Sequence, residues 1–368
     1  MRLIQFTASK VWRGHEQKII YLYEIFRDKN YVEDQIIVCP IDSELYKVAK
    51  EKNLNVIPIT TKTKFKSALD LKKISDDFKG ELLFIHDSKS HTISVLAGVF
   101  CGLKIPMVLC RTLSVRVDTN FFRKWKYNYK GIKKIICITQ AVVDVLKHAV
   151  KDHSRIVIVG ILTDIERFKN SFKVGKLHDE LNIPRDYKLI GNIAAFTWFK
   201  DHKTWVRTVK ELKDRNVKAK YILVGKGPKE AEVKAQVKEL GLDDDVYFLG
   251  FRTDIAQIMP ELDVLLFTSN DEPAGGVILE AYACKTPVVA TNAGGIPSLL
   301  IHNETGLLAE VGNPVDFADK VQILLNDSQL RERVTKNGYQ FLLDNHTKEV
   351  IGKKMFDELN LVLQNSKQ

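Results

Sequence analysis

Short runs of apolar, mostly β-branched residues recur along the chain, separated by longer stretches in which apolar positions return every three or four residues. The first pattern is that of buried strands, the second that of amphipathic helices. In the first half RLIQFT, QIIVCP, NVIPIT, LLFIHD, MVLCRT, KIICIT and RIVIV predict strands; in the second KLIGNIAA, YILVG, VYFLG, VLLFTS and PVVAT do. Strands that are apolar throughout, without alternation, belong to parallel sheets covered by helices on both faces. The stretch from Gly160 to Tyr187 lacks a strong apolar run and carries Lys, Asp, Asn and Pro184, so it reads as a linker. At 368 residues the chain exceeds what one core serves. The expectation is an α/β protein of two doubly wound domains, 1–165 and 186–350, with ligands at the carboxyl ends of the strands in an interdomain cleft. The closing residues 351–368 continue the helical spacing of EVIGKKMFDELNLVLQN and are expected to pack back on the N-terminal domain.

Composition changes this picture little. Hydrophobic residues at 45% and charged residues at 28% are ordinary for a globular protein. The five cysteines are scattered and form no CxxC, which argues against a disulfide framework or a zinc site. The opening MRLIQFTASKVWRGHE has no apolar h-region, so no signal peptide is expected. The run from Thr92 to Cys110 contains Lys104 and Pro106 and reads as helix, turn and strand, not as a membrane span. A cytoplasmic protein is expected.

Charge matters more. Of the net +10, much falls between Arg111 and Lys134, where eight Lys/Arg face one acid, Asp118. Five aromatics are interleaved: Phe121, Phe122, Trp125, Tyr127 and Tyr129. The segment is either a solvated helical face with rings in the core, or a surface. As a surface, Arg123, Lys124, Trp125, Lys126 and Lys130 would meet an anionic membrane or a phosphorylated, lipid-linked acceptor. Arg116 belongs to the same run of charge. Nucleic acid is disfavoured, because no helix-turn-helix, aromatic RNA-binding motif or zinc finger accompanies the charge.

The chemistry concentrates in SNDEPAGGVILEAYACKTPVVAT, Ser269 to Thr291. A strand, VLLFTSN, runs into a glycine turn and then the helix VILEAYAC, which points free amide groups and a positive helix end at the carboxyl end of the sheet. Gly275 and Gly276 admit an anion close to the backbone. Glu272 and Glu280, eight positions apart, flank that place, and carboxylates accept paired hydrogen bonds from sugar diols.

EPAGGVILEA followed by PVVATNAGGIP resembles the E-x7-E signature of retaining GT-B glycosyltransferases of family 4, the kind that build bacterial polysaccharide and lipopolysaccharide. VWRGHEQ, HDSKSHT, ICITQAVVDVL and Gly160 with DIERF are similar to the family's first domain. FKDHKTW, LVGKGP, FLGFRTDI and NETGLL are similar to its second, in order and spacing. The resemblance implies that Glu280 holds the nucleotide ribose and Glu272 the transferred sugar. It implies that amides from Ala274 to Val277, over Gly275 and Gly276, face the diphosphate, and that Lys200 neutralises it as it leaves. Gly14 would let the first domain approach the donor, Arg252 would lie near the base, and the sugar would keep its anomeric configuration. No metal and no cofactor are implied.

Some positions depart from the family pattern. Ala195 stands where many relatives have a diphosphate-binding arginine, for which Lys203 is a substitute. His15 replaces a glycine, either narrowing the approach to the donor or contacting its sugar or phosphate. Arg111 stands near the place of a sugar-contacting histidine, Lys285 where glycine is common, and Ser298 where glutamate is. His86 and His91 are acceptor-side candidates, each with a structural alternative. The D-x-D spacing in Asp243–Asp245 reads as a solvated turn. The expected function is transfer of a hexose from a UDP- or GDP-sugar to a lipopolysaccharide-core, surface-polysaccharide or lipid-linked acceptor, at the inner face of the cytoplasmic membrane if the basic segment binds lipid. The rivals are a nucleotide-sugar epimerase and a non-catalytic sugar-nucleotide-binding or membrane-associated protein.

Overall fold

A computed structural model describes residues 1–12, 14–113 and 120–367. Arg13 of the N-terminal motif, Arg116 and Asp118 of the basic segment, and Gln368 lie outside the described residues. The chain divides into two compact units: Met1–Leu162 together with Lys348–Gln368, and Thr163–Thr347.

The first unit is built on strands Arg2–Phe6 (β1), Asp34–Pro40 (β2), Val56–Ile59 (β3), Leu82–Ile85 (β4), Met107–Arg111 (β5), Ile132–Cys137 (β6) and Ile156–Ile158 (β7). They pair in the order β3-β2-β1-β4-β5-β6-β7, all parallel. The second unit has Lys188–Ile193 (β8), Ala219–Val224 (β9), Val246–Gly250 (β10), Val264–Phe267 (β11), Val288–Thr291 (β12) and Leu307–Ala309 (β13). Their order is β10-β9-β8-β11-β12-β13, again parallel. Each sheet has one switch point, β1 beside β4 and β8 beside β11, where the connections leave in opposite directions and the carboxyl ends part.

The apolar runs explain the layers. Leu3, Phe84, Val108 and Ile136 of the first sheet share one buried cluster with Leu22 and Phe26 of helix Gly14–Asp28. Helix Lys348–Lys367 joins that cluster through Ile351, Met355, Leu359 and Val362, residues at intervals of four, four and three that fall on one helical face. Burying such a side chain stabilises by about 1.5–3 kcal/mol. Four of them fix this helix to the first unit.

Two features differ from the sequence expectation. Strand β13 lies in the NETGLLAEV stretch; its three residues are too few to show a periodicity. The stretch read as a linker is instead part of the second unit from Thr163 onward, a boundary well before residue 186. It folds as a short turn at Ile165–Phe168 and a helix at Lys176–Glu180. Its anchors are single residues, Phe168, Leu177 and Ile183, all buried, so no apolar run announces them. The fully buried Glu261 completes the attachment, its Oε1 accepting from the amides of Val174 at 2.8 Å and Gly175 at 2.9 Å.

Candidate active site

The loops leaving β8 and β11 meet at the switch point of the second sheet. Asn270 N donates to Phe199 O at 2.9 Å and Thr268 Oγ1 to Asp201 O at 3.0 Å, so the two loops are stitched together. That stitching brings Lys200 and Glu272, 72 positions apart, into an ion pair. Lys200 Nζ also stands 4.7 Å from the centre of the Phe267 ring, a cation–π contact at the end of β11. Ser269 Oγ lies 3.1 Å from Glu272 Oε2. Glu272 itself is buried, and its main chain is clamped from behind: Gly295 N donates to Glu272 O at 2.7 Å. A Cβ on Gly294 would meet that same carbonyl at 2.4 Å, which accounts for glycine in TNAGGIP.

Two residues beyond Ala274 the helix Gly276–Ala283 begins. Gly275 precedes it at φ +72°, a left-handed conformation that glycine adopts freely, and no side chain caps the helix. The amides of Gly276 and Val277, in the first turn, therefore receive no capping side chain. Glu280, one turn further on, is half-buried, and its carboxylate meets no hydrogen-bond donor among the described residues. Burial pushes this carboxyl above the ordinary range, and the charge of Arg167 opposes the shift. His202, at the start of the helix after Lys200, is stacked on Phe196 at 4.5 Å; burial and then the Lys200 charge push it down to about 4, so it is neutral at physiological pH.

The first unit collects a different set of residues. Gly14 opens helix Gly14–Asp28, with open space where a Cβ would stand. His15 and His86 meet edge to face at 5.7 Å, beside a hollow of about 280 Å³ that Arg111, His91 and Tyr127 also line. Burial, then Lys18, pushes His15 down to about 4; burial, then His15 and Lys18, holds His86 well below its ordinary value. A buried chain of amides sets the His86 tautomer. Gln35 Nε2 donates to Tyr23 O at 2.7 Å, Gln5 Nε2 to Gln35 Oε1 at 3.3 Å, and Gln5 Oε1 thus accepts from His86 Nε2 at 3.2 Å. His91 is fully buried, with Nε2 3.2 Å from Lys126 O.

Two residues take places other than those the sequence suggested. Arg252 does not present a free guanidinium: Nε and Nη2 hold Asp254 at 2.8 and 2.7 Å, and Nη2 reaches Glu180 at 3.2 Å. Lys126 is not on the basic surface but buried, donating to Ser88 O at 3.3 Å and Thr92 Oγ1 at 3.1 Å. It follows the helical period inward, and burial, then Arg111, pushes it down to about 8. On the same helix, Phe121–Tyr127, Phe121 is 87% exposed, and Phe122, Arg123 and Lys124 are exposed as well; Trp125 is half-buried, and Lys130 beyond the helix is exposed. Asp245 of the D-x-D turn is paired with Lys213 and Lys220 at 2.7 Å each. Ser269, Gly294, Gly295 and Arg167 were missed as site residues; each lies in a motif noticed for another reason, and the only signal was the proximity of Ser269 to Glu272 in the sequence.

The family model for glycosyl transferases group 1 matches residues 173–341. The chain is 30% identical over 276 residues to N-acetyl-alpha-D-glucosaminyl L-malate synthase of Bacillus anthracis, covering 74% of this chain and 72% of that protein. It is 28% identical over 173 residues to the lipopolysaccharide core biosynthesis glycosyltransferase LpsE of Rhizobium meliloti, covering 47% and 49%. Among solved structures, Anabaena Alr3699/HepE in complex with UDP superposes with a TM-score of 0.85 at 20% identity, over 98% of this chain and all of that one, a likeness of fold. Two parallel-sheet, Rossmann-like units of this kind define the GT-B architecture. The chain belongs to the group 1 glycosyltransferases. These relatives lend the epimerase alternative no support.

Proposed function

We propose that the chain is a retaining, family 4 type hexosyltransferase that takes its sugar from a UDP- or GDP-hexose and needs no metal. One observation carries this: the Lys200–Glu272 pair stands beside the uncapped helix start at Gly275–Gly276. The donor diphosphate lies on those amides, and Lys200 moves from Glu272 to the phosphates and neutralises charge as the leaving group departs. Glu272, so released, accepts hydrogen bonds from the transferred sugar, and Glu280 accepts from the ribose. With Ala195 in place of an arginine, Lys200 and the helix amides offset most of the diphosphate charge. The acceptor oxygen bonds to the anomeric carbon on the face the diphosphate leaves, as the bond to the diphosphate oxygen breaks and the hydroxyl proton passes to that oxygen, so configuration is kept without a protein nucleophile.

For the acceptor we propose a lipopolysaccharide-core, surface-polysaccharide or lipid-linked glycan. The similarity to a lipopolysaccharide core transferase supports it. So does the exposed set Phe121, Phe122, Arg123, Lys124 and Lys130, which suits an anionic membrane surface at the inner face of the cytoplasmic membrane. No helix of the described residues is long and apolar enough to cross a membrane.

The test is calorimetric titration of UDP-, GDP- and ADP-sugars into wild type and Glu280→Ala. One donor is expected to bind, and the variant to lose about 1–3 kcal/mol of affinity, as for a charged hydrogen bond. Absence of binding by every activated sugar would end the proposal.

A further inference from the structure

A hollow of about 550 Å³ opens on the second unit, at the end of its sheet opposite the candidate active site. Its wall residues Leu262, Asp263 and Pro287 precede strands β11 and β12, whereas Lys200 and Glu272 follow β8 and β11. Helix Gly276–Ala283 spans the two places: it starts beside Gly275, and Ala283, Cys284 and Lys285 at its far end stand in the wall of the hollow. Four cations and two acids line that wall. Both acids are matched: Glu166 by Lys169 at 3.4 Å, and Asp263 by Lys173 at 2.9 Å and Lys188 at 3.6 Å. The other two cations, Lys285 and Arg331, meet no carboxylate among the described residues. Arg331 Nη1 donates to Leu324 O at 2.8 Å and Leu325 O at 3.0 Å, which leaves Nε and Nη2 unused. Lys285 is exposed, with Nζ 5.0 Å from the centre of the Tyr339 ring, another residue of the same wall.

Lys285 holds its place against backbone preference, at φ +55°. Its N–H donates to Tyr282 O at 3.0 Å and that of Thr286 to Ala281 O at 2.8 Å, the two bonds that close a helix on a left-handed residue, usually glycine. A lysine here strains the turn and sets a positive charge in the hollow, the kind of local conflict that marks a functional position. The rest of the wall is apolar where Pro260, Leu262 and Pro287 form it, and Phe172 stands there 68% exposed. An apolar ligand would strip water from two charges without replacing it. A bare inorganic anion would satisfy the charges and leave the apolar wall and the Phe172 ring wet. The volume falls within the range of about 300–1,000 Å³ usual for small-molecule sites. We propose that this hollow is a second anion site, which takes a small phosphate monoester bearing a ring, with the phosphate on Lys285 and Arg331 and the ring against Phe172. The site is separate from the donor seat and depends on none of the roles assigned there.

The experiment is a ligand-observed NMR titration of phenyl phosphate, inorganic phosphate and phenol with the full chain, as wild type, Lys285→Gly, Lys285→Arg, Phe172→Ala and Lys200→Ala. Phenyl phosphate is expected to bind wild type, inorganic phosphate to bind more weakly, and phenol not to bind. Lys285→Gly suits the left-handed turn, so it should melt no lower than wild type. It should nevertheless bind phenyl phosphate roughly tenfold more weakly, the scale of a lost charged hydrogen bond. Lys285→Arg keeps most of the affinity, and Phe172→Ala loses roughly threefold for phenyl phosphate and nothing for inorganic phosphate. Lys200→Ala binds phenyl phosphate like wild type. A wild type that does not bind phenyl phosphate overturns the proposal, as does a Lys285→Gly variant that binds it unchanged. Affinity lost in Lys200→Ala and kept in Lys285→Gly would place the anion in the donor seat and overturn it too. Equal affinity for inorganic and phenyl phosphate would refute the ring contact.

Discussion

The two units are built on the same plan, yet they treat the helix that follows the switch point in opposite ways. In the first, Asp87 caps helix Ser88–Phe100: its carboxylate accepts from Thr7 Oγ1 at 2.9 Å, Ala8 N at 2.6 Å, Lys89 N at 2.7 Å and Ser90 N at 2.9 Å, and Ser90 completes a capping box. In the second, the equivalent helix start has a left-handed glycine and no cap, and the nearby acid, Glu272, is bound to a lysine instead. Helix amides satisfied from within the protein stabilise it. Amides left open bind something else. The same fold thus yields a capped helix start in one unit and an uncapped one in the other, the one proposed to seat the donor diphosphate, and the choice turns on an aspartate against a glycine.

The sharpest way to break this comparison is Lys200→Ala. Turnover is expected to fall roughly 10²–10³-fold, as for loss of a group that meets developing charge, with the melting temperature close to wild type; an unchanged rate would mean that the open helix start acts without its lysine. Asp87→Ala should do the reverse. Losing a cap and its bonds to the β1 loop costs about 2 kcal/mol of stability, read by urea denaturation, while nucleotide affinity holds; a stable variant would show that the first helix start needs no cap. On the basic helix, Lys124→Gln should weaken binding to phosphatidylserine vesicles by about 1 kcal/mol, and equal binding would withdraw the membrane proposal.

The smallest effect concerns Glu280. Burial raises its carboxyl, so the folded chain keeps that proton to a higher pH than the unfolded chain does. Stability from this group is therefore present below the ordinary carboxylate range and falls as pH rises through the raised value. Glu280→Gln should melt higher than wild type at neutral pH and converge with it in acid. A difference of the opposite sign would show that the fold stabilises the ionised carboxylate of Glu280.

Much of this was legible in the sequence, and the exceptions have physical causes. Continuous apolar runs give parallel strands away, so β1 to β12 were readable, whereas Leu307–Ala309 was too short. Glu272, Gly275 and Glu280 stand close in the chain, so their grouping needed only a strand, a turn and a helix. The partnership of Lys200 with Glu272 depends on two loops meeting; the family resemblance assigns the two separate roles, on the diphosphate and on the sugar, and gives no sign that they pair. Lys126 and Arg252 show the limit from the other side. A charged residue in sequence carries no sign of whether the helix turns it inward, as for Lys126, or whether an acid far along the chain, Glu180 in the case of Arg252, has already claimed it.

Helix Lys348–Lys367 has a consequence for how the protein is made. It closes the apolar face of the first sheet, but the ribosome reaches it only after all of Thr163–Thr347. At usual elongation speeds that interval is on the order of ten to forty seconds, during which the cluster around Leu22 and Phe26 lacks the side chains of Ile351, Met355, Leu359 and Val362. The second unit, contiguous in the chain, can finish first, so the half synthesised earlier is the half completed last.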